Sequence, residues 1–147
     1  MADQVHVTIE QKGRATSEAA IRTHHVLIDR PTAKAGEDRG PMGGELLLAA
    51  LGGCFMSNLL AAIAAREARV TNVRTQVAGT LDGAPPRFVA IEATVSADCD
   101  DPALVDKLVT MAERSCIVAN TLKDALKLQV RVERAARQVR QGSGLLK

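Results

Sequence analysis

Two cysteines carry the strongest chemical signal in this 147-residue chain, because each lies in a segment with the pattern of a helix. Cys54 lies inside the apolar run that follows Glu45, and Cys116 lies within residues 113–122. Structural disulfides belong mainly to oxidising compartments, whereas thiols elsewhere stay reduced unless they are catalytic or redox-active. Taken as a pair, they suggest redox chemistry. Taken singly, each is more typical of a small buried apolar side chain.

The remaining cysteine and the histidines form no recognisable metal site. Cys99 lies among aspartates, which disfavour a neighbouring thiolate, so we interpret it as incidental. No cysteine or histidine pair has the short spacing of a zinc site. His24 and His25 would point to opposite faces of a strand, and His6 has no matching partner. We therefore expect neither a metal nor another cofactor.

Composition narrows the function classes. Hydrophobic residues make up 46% of the chain and charged residues 24%, which is typical of a globular domain. With two Phe and no Tyr or Trp, aromatic stacking on nucleic-acid bases is nearly excluded. A net charge of +2 is too small to indicate a polyanionic partner. Only the arginine repeat at positions 131, 134, 137 and 140 keeps a nucleic-acid accessory role as a third hypothesis, and a solvated tail explains it more simply.

Residues 46–65 carry no charge and are long enough to span a bilayer. Half of them are small or polar and no Trp or Tyr flanks them, so we interpret the segment as the central helix of a soluble domain. A helix that is apolar on every side must be covered on every side. The N-terminus lacks the features of a signal peptide, and an odd number of cysteines does not suit a secreted scaffold. We expect a cytoplasmic protein without a membrane partner.

Hydrophobic periodicity predicts an α+β fold. Helical spacing predicts one helix from Glu45 to about residues 67–69 and another over 103–114, after which 116–122 either continues as helix or breaks briefly. Hairpins without regular βαβ alternation indicate the α+β class. We expect a single domain over residues 1–135, followed by a basic tail over 136–147. Alternation predicts strands over residues 5–10, 20–29, 70–81, 88–96 and 126–132, with a hairpin turn at Asp82-Gly83.

Two segments resemble the OsmC/Ohr family, the osmotically inducible and organic hydroperoxide resistance proteins. The first is Gly40–Cys54, with the sequence GPMGGELLLAALGGC, and the second is Ser115–Leu122, with the sequence SCIVANTL. They are similar to the two cysteine segments of that family. The separation of 62 residues, from position 54 to position 116, and the predicted order of elements agree with the family as well.

The resemblance implies antiparallel sheets packed around a long buried central helix, in an intertwined homodimer with two sites at the interface. It also implies a thiol peroxidase of oxidative stress defence. The Cys54 thiolate would attack an organic or lipid hydroperoxide and become a sulfenic acid, and Cys116 would condense with it to a disulfide. An external dithiol, a lipoylated protein in the Ohr branch, would then reduce that disulfide.

The resemblance further implies an arginine and a carboxylate beside the thiolate. Arg14 is the best match for the arginine, with Arg22 and Arg39 as alternatives, and a guanidinium can bind a thiolate and a carboxylate together. Glu45 is the best match for the carboxylate, although it stands one residue later than in typical peroxidases. A charge at a helix N-terminus explains Glu45 equally well. The shift also leaves open a non-catalytic protein that binds a small apolar ligand in the same interface cleft.

Overall fold

The computed structural model describes residues 2–134 and confirms the α+β class. The chain divides into two compact units, residues 1–54 and residues 55–147. The predicted tail over 136–147, with Arg137 and Arg140, lies outside the described residues. The single domain over 1–135 stays a prediction.

The first unit contains a three-stranded antiparallel sheet in the order β1-β2-β3: β1 is Thr8–Gln11, β2 is Ser17–Ile21 and β3 is His24–Ile28. The strand predicted over 20–29 is confirmed as β3, but its predicted start was wrong, because the chain turns between β2 and β3. Arg22 occupies that turn at φ 55°, a left-handed conformation that is uncommon for residues other than glycine. No glycine or proline marks this turn in the sequence.

A loop and a short 3-10 helix, Thr32–Lys34, connect β3 to helix α1, Gly43–Ala65. Two glycines allow the loop to pack closely on neighbouring backbone. A Cβ atom at Gly36 would lie 1.8 Å from the carbonyl oxygen of Arg30, and one at Gly40 would lie 2.2 Å from that of Leu27. Both distances are far below van der Waals contact, so these positions require glycine.

Helix α1 buries one stripe of side chains and exposes other apolar ones. Leu51, Phe55 and Leu59 are 1–2% exposed, whereas Leu47 is 36% and Leu60 is 50% exposed. The prediction of a helix covered on every side is therefore not met within residues 2–134. By length and composition α1 could also cross a membrane, a property shared by core helices of soluble proteins. The described residues thus bury one face of α1 and leave apolar side chains of another face exposed.

The second unit contains the predicted hairpin, formed by β4, Thr71–Asp82, and β5, Arg87–Asp98. Strand β6, Lys127–Val132, pairs with β5 in parallel, so this sheet is mixed rather than purely antiparallel. The reason is the connection between β5 and β6, which runs through helix α2, Pro102–Ser115, and helix α3, Ile117–Leu122. A crossover of that length is what a parallel pair of strands needs.

Aliphatic side chains build the core of the second unit, as expected for a chain with so few aromatic residues. Helix α2 packs against β6 and α3. Its start is fixed by Asp101, whose side chain accepts a hydrogen bond from the Leu104 N–H, with Pro102 in the first turn. The most buried aliphatic residues of α2 and β5 are Ile91, Ala93, Val95, Val105, Leu108, Val109 and Ala112.

Candidate active site

Cys54 lies on α1 at the edge of the buried stripe, and its side chain is half-buried. Leu51, three residues earlier, and Phe55, the next residue, are both buried. Gly53 has no side chain, so it does not cover the helix surface beside the thiol. Within the described residues, a Cβ atom added at Gly53 would meet no atom within 4 Å apart from its chain neighbours and the backbone of its own helix. A small molecule can therefore approach the helix beside the thiol.

Glu45 caps the helix that carries Cys54. Its Oε2 accepts a hydrogen bond of 2.8 Å from the N–H of Met42, the residue before the first turn. A glutamate three residues into a helix commonly makes this bond, and its charge suits the helix N-terminus. Cys54 follows Glu45 by nine positions of continuous helix, about 13.5 Å along the axis and half a turn around it. The helix runs unbroken through Gly52 and Gly53, so no bend brings the two together.

Arg14 lies in the turn between β1 and β2. The N–H groups of Lys12 and Gly13 donate to the carbonyl oxygen of Thr16, at 2.9 and 3.1 Å, and this closes the turn around Arg14. Arg39 reaches the same turn from the loop before α1, since its Nη1 lies 3.4 Å from the position of a Cβ atom at Gly13. The Arg39 side chain therefore lies next to the turn that carries Arg14, within the first unit.

Arg22 lies elsewhere. It follows the last residue of β2, whereas Arg14 precedes the first. A five-residue strand is about 16 Å long, so the turns that carry the two arginines are at opposite ends of it. Of the three candidates, Arg14 and Arg39 share a location that Arg22 does not.

Asp29 is a residue whose importance the sequence did not indicate. Its side chain is 3% exposed. Its Oδ2 accepts hydrogen bonds from the Thr16 hydroxyl, at 2.8 Å, and from the Arg39 N–H, at 3.3 Å. Its Oδ1 accepts from the N–H groups of Arg30, at 2.7 Å, and Glu37, at 3.4 Å. The sequence feature that could have indicated Asp29 is its position at the end of an apolar strand, directly before a loop rich in Gly and Pro.

Two opposing effects act on the pKa of Asp29. Burial raises it, while the hydrogen bonds from Thr16 and from the N–H groups of Arg30, Arg39 and Glu37 lower it, and the net pKa lies below the ordinary value of 3.8. A lowered native pKa means that the ionised carboxylate stabilises the fold at neutral pH. That contribution is lost as the pH falls from 3.8 through the lower native pKa.

The substitution Asp29→Asn is therefore expected to reduce the free energy of unfolding at pH 7. The difference from the unmodified protein should shrink as the pH is lowered below 3.8, because both chains then lack the charge. Urea unfolding at a series of pH values measures this. Asp3→Asn, at an exposed aspartate, is the matched control and should show no such difference. A deficit for Asp29→Asn that stays constant down to the lowest pH would contradict the assignment.

Cys116 lies in the second unit, at the break between α2 and α3, and is fully buried. Its N–H donates to the carbonyl oxygen of Glu113 at 3.1 Å, and its Sγ accepts from the N–H of Ala119 at 3.4 Å. Asn120 also stabilises the break between α2 and α3, since its Nδ2 donates to the carbonyl oxygen of Arg114 at 3.0 Å. The segment around Cys116 thus breaks briefly, one of the two outcomes that the sequence allowed.

Cys99 makes local contacts at the start of α2. Its Sγ lies 3.3 Å from the carbonyl oxygen and 3.4 Å from the nitrogen of Asp101. Within residues 2–134, no group of three or more His, Cys, Asp or Glu side chains is arranged to hold a metal ion. His24 and His25 are both exposed on β3.

The sequence model of the family described as "OsmC-like protein" matches residues 36–131, which is more than half of the chain and includes Cys54 and Cys116. The chain belongs to the OsmC-like family. The resemblance inferred from the two cysteine segments of this OsmC-like chain is thereby confirmed. No curated protein matches its sequence.

Solved structures share the fold of this OsmC-like protein. A hypothetical protein from Aquifex aeolicus has a TM-score of 0.77 at 18% identity, over 90% of this chain and 96% of that one. An organic hydroperoxide resistance protein from Legionella pneumophila has a TM-score of 0.71 at 14% identity, over 90% and 100%. The organic hydroperoxide resistance protein OhrB of Bacillus subtilis has a TM-score of 0.65 at 18% identity, over 89% and 98%. At these identities the similarity establishes the fold.

Proposed function

We propose that this OsmC-like protein is a thiol-dependent peroxidase that reduces organic hydroperoxides to alcohols. The observation that supports this most is the placement of Cys54, half-buried beside Gly53 in the charge-free part of an apolar helix, inside the segment that matches the family. Structural relatives from Legionella pneumophila and Bacillus subtilis are named for organic hydroperoxide resistance. The proposal places the protein in oxidative stress defence in the cytoplasm.

The proposed reaction has three balanced steps. The Cys54 thiolate attacks the distal oxygen of the hydroperoxide, the O–O bond breaks, and the leaving alkoxide takes a proton to become the alcohol. Cys54 is then a sulfenic acid, and the Cys116 thiol displaces water from it to form a disulfide. An external dithiol reduces this disulfide by two thiol exchanges, and is itself oxidised to a disulfide.

The proposal includes supporting groups and a substrate class. We assign Arg14, with Arg39 at the same turn, to stabilise the Cys54 thiolate, since a fixed cation offsets the cost of a charge in apolar surroundings. Glu45 orients the arginine from the helix N-terminus of a partner subunit, because continuous helix separates it from Cys54 of its own chain. Alkyl or lipid hydroperoxides suit the aliphatic surroundings, and a lipoylated protein suits the role of dithiol reductant.

Mass spectrometry after peroxide treatment tests the proposed reaction. One equivalent of cumene hydroperoxide should convert most of the protein to a form that lacks two hydrogen atoms and links the peptides of Cys54 and Cys116. The Cys99→Ser variant should give the same product, because Cys99 has no part in the reaction. Cys54 and Cys116 thiols that remain unreacted would contradict the proposal.

A non-catalytic binder of a small apolar ligand is the second candidate function. It is favoured by the position of Glu45, whose Oε2 bonds to the N–H of Met42 and caps α1. Unreactive thiols together with a rise in thermal stability on adding a long-chain alcohol would support this candidate. A peroxide-dependent disulfide would support the enzyme.

We also propose that the protein is a homodimer, because a second copy would cover the apolar face of α1. The face exposes Leu47 and Leu60, and α1 has no charge after Glu45. Light scattering after size exclusion should give twice the mass of the chain. Leu60→Glu should shift the protein toward the monomer, whereas Leu81→Glu, at an exposed leucine of β4, should not. A monomeric unmodified protein at micromolar concentration would contradict the dimer.

A further inference from the structure

One buried carboxylate connects the two segments that carry Arg14 and Arg39. Thr16 uses its carbonyl oxygen to close the turn around Arg14, and uses its hydroxyl to donate to Asp29. The same oxygen of Asp29, Oδ2, accepts the N–H of Arg39. Both arginine-bearing segments are thus fixed to a single carboxylate oxygen.

Asp29 also holds a loop whose backbone is locally unfavourable. Ala35 and Asp38 adopt left-handed conformations, at φ 60° and 54°. Such conformations persist only where surrounding contacts fix them. The N–H groups on either side of Asp38, those of Glu37 and Arg39, both donate to Asp29. The carboxylate therefore stabilises the conformation that directs the Arg39 side chain to the turn at Gly13.

We propose that Asp29 is a positioning residue that fixes Arg14 and Arg39 at one turn, so that a guanidinium stabilises the Cys54 thiolate. The inference rests on the proposed function, in which that thiolate attacks the peroxide. Asp29 acts through the two arginines and has no direct part in the reaction. Its four hydrogen bonds account for a charged side chain that is only 3% exposed, since buried charges require such partners.

The test measures the thiol separately from turnover. Iodoacetamide alkylation of Cys54 is followed by mass spectrometry of its peptide across a range of pH. The alkylation midpoint is the pH at which the rate reaches half of its maximum. Asp29→Asn and Thr16→Val each weaken the network, and Thr16→Ser is the matched control because it keeps the hydroxyl. Thermal unfolding of each variant is recorded beside the alkylation.

We expect Asp29→Asn and Thr16→Val to raise the alkylation midpoint by roughly one pH unit or more, because a thiolate loses a nearby cation. Thr16→Ser should keep the midpoint of the unmodified protein. Where Asp29→Asn fails to fold, the comparison of Thr16→Val with Thr16→Ser decides. Folded variants that are less stable but keep the original midpoint would overturn the proposal, since Asp29 would then be structural only.

A double-mutant cycle tests whether Asp29 changes the alkylation midpoint through the two arginines. Arg14→Met combined with Arg39→Met should raise the midpoint by itself, and adding Asp29→Asn should then raise it no further. A further rise of the same size would overturn the proposal, because Asp29 would then act independently of the arginines. The alkylation result does not depend on peroxidase turnover. An inactive unmodified protein would contradict the proposed function, and an unchanged midpoint would contradict the role of Asp29.

Discussion

Replacing Cys54 with serine is expected to lower kcat/KM for cumene hydroperoxide, with a dithiol as reductant, by roughly a thousandfold or more. The hydroxyl of serine is not ionised at neutral pH and is a poor nucleophile toward a peroxide oxygen. The side chains are similar in size and the site is half-buried, so the fold should survive. Turnover is measured as consumption of hydroperoxide under steady-state conditions.

Two other cysteines provide controls for this result. Cys99→Ser should retain full turnover, because the Sγ of Cys99 makes local hydrogen bonds to the backbone of Asp101 and has no part in the proposed reaction. Cys116→Ser should still consume one equivalent of peroxide rapidly, and then turn over slowly for want of the resolving thiol. Undiminished steady-state turnover by folded Cys54→Ser would contradict the assignment of Cys54.

The substitution Phe55→Ala is expected to reduce the free energy of unfolding by about 3–5 kcal/mol. Phe55 is the largest fully buried side chain of the described residues, at 1% exposure, and it lies next to Cys54 on α1. Removing its ring leaves a cavity that an aliphatic core can fill only partly. A loss of this size is a large fraction of the total stability of a typical domain. Urea unfolding at a fixed protein concentration measures it.

Two variants calibrate that measurement. Phe55→Leu keeps most of the apolar volume and should cost clearly less than Phe55→Ala. Leu81→Ala removes a side chain that is 62% exposed and should change the stability by at most about 0.5 kcal/mol. A cost below about 1 kcal/mol for Phe55→Ala would mean that α1 is not anchored through this residue.

Long periodic segments were predictable from the sequence. The hairpin of β4 and β5 has a clear alternation and an Asp-Gly turn, and α1 has a charge-free run of helical length. Local chemistry determines both, so a single sequence is sufficient. The turn at Arg22 was not predictable, because it is formed by a left-handed residue that is usually glycine or asparagine elsewhere.

The candidate site was predictable only where it depends on local sequence. The flanking segments of Cys54 and Cys116 predict them as site residues, and the family match includes both segments, while their roles stay a prediction. Asp29 was missed because three of its four partners, Thr16 and the N–H groups at 37 and 39, lie 8 to 13 residues away. Bonds across that range depend on the path of the loop, which periodicity does not encode. Glu45 caps α1 through a local hydrogen bond to Met42. The sequence alone had left open whether Glu45 is a charge at the helix N-terminus or a carboxylate of the site.

The reaction of Cys54 with a peroxide is the central claim, and trapping its sulfenic acid tests that claim most directly. The chain with Cys99→Ser and Cys116→Ser is treated with one equivalent of cumene hydroperoxide in the presence of dimedone, which reacts with sulfenic acids. Mass spectrometry should find close to one dimedone adduct per chain, on the peptide of Cys54. A folded chain whose Cys54 remains an unmodified thiol after this treatment would contradict the account.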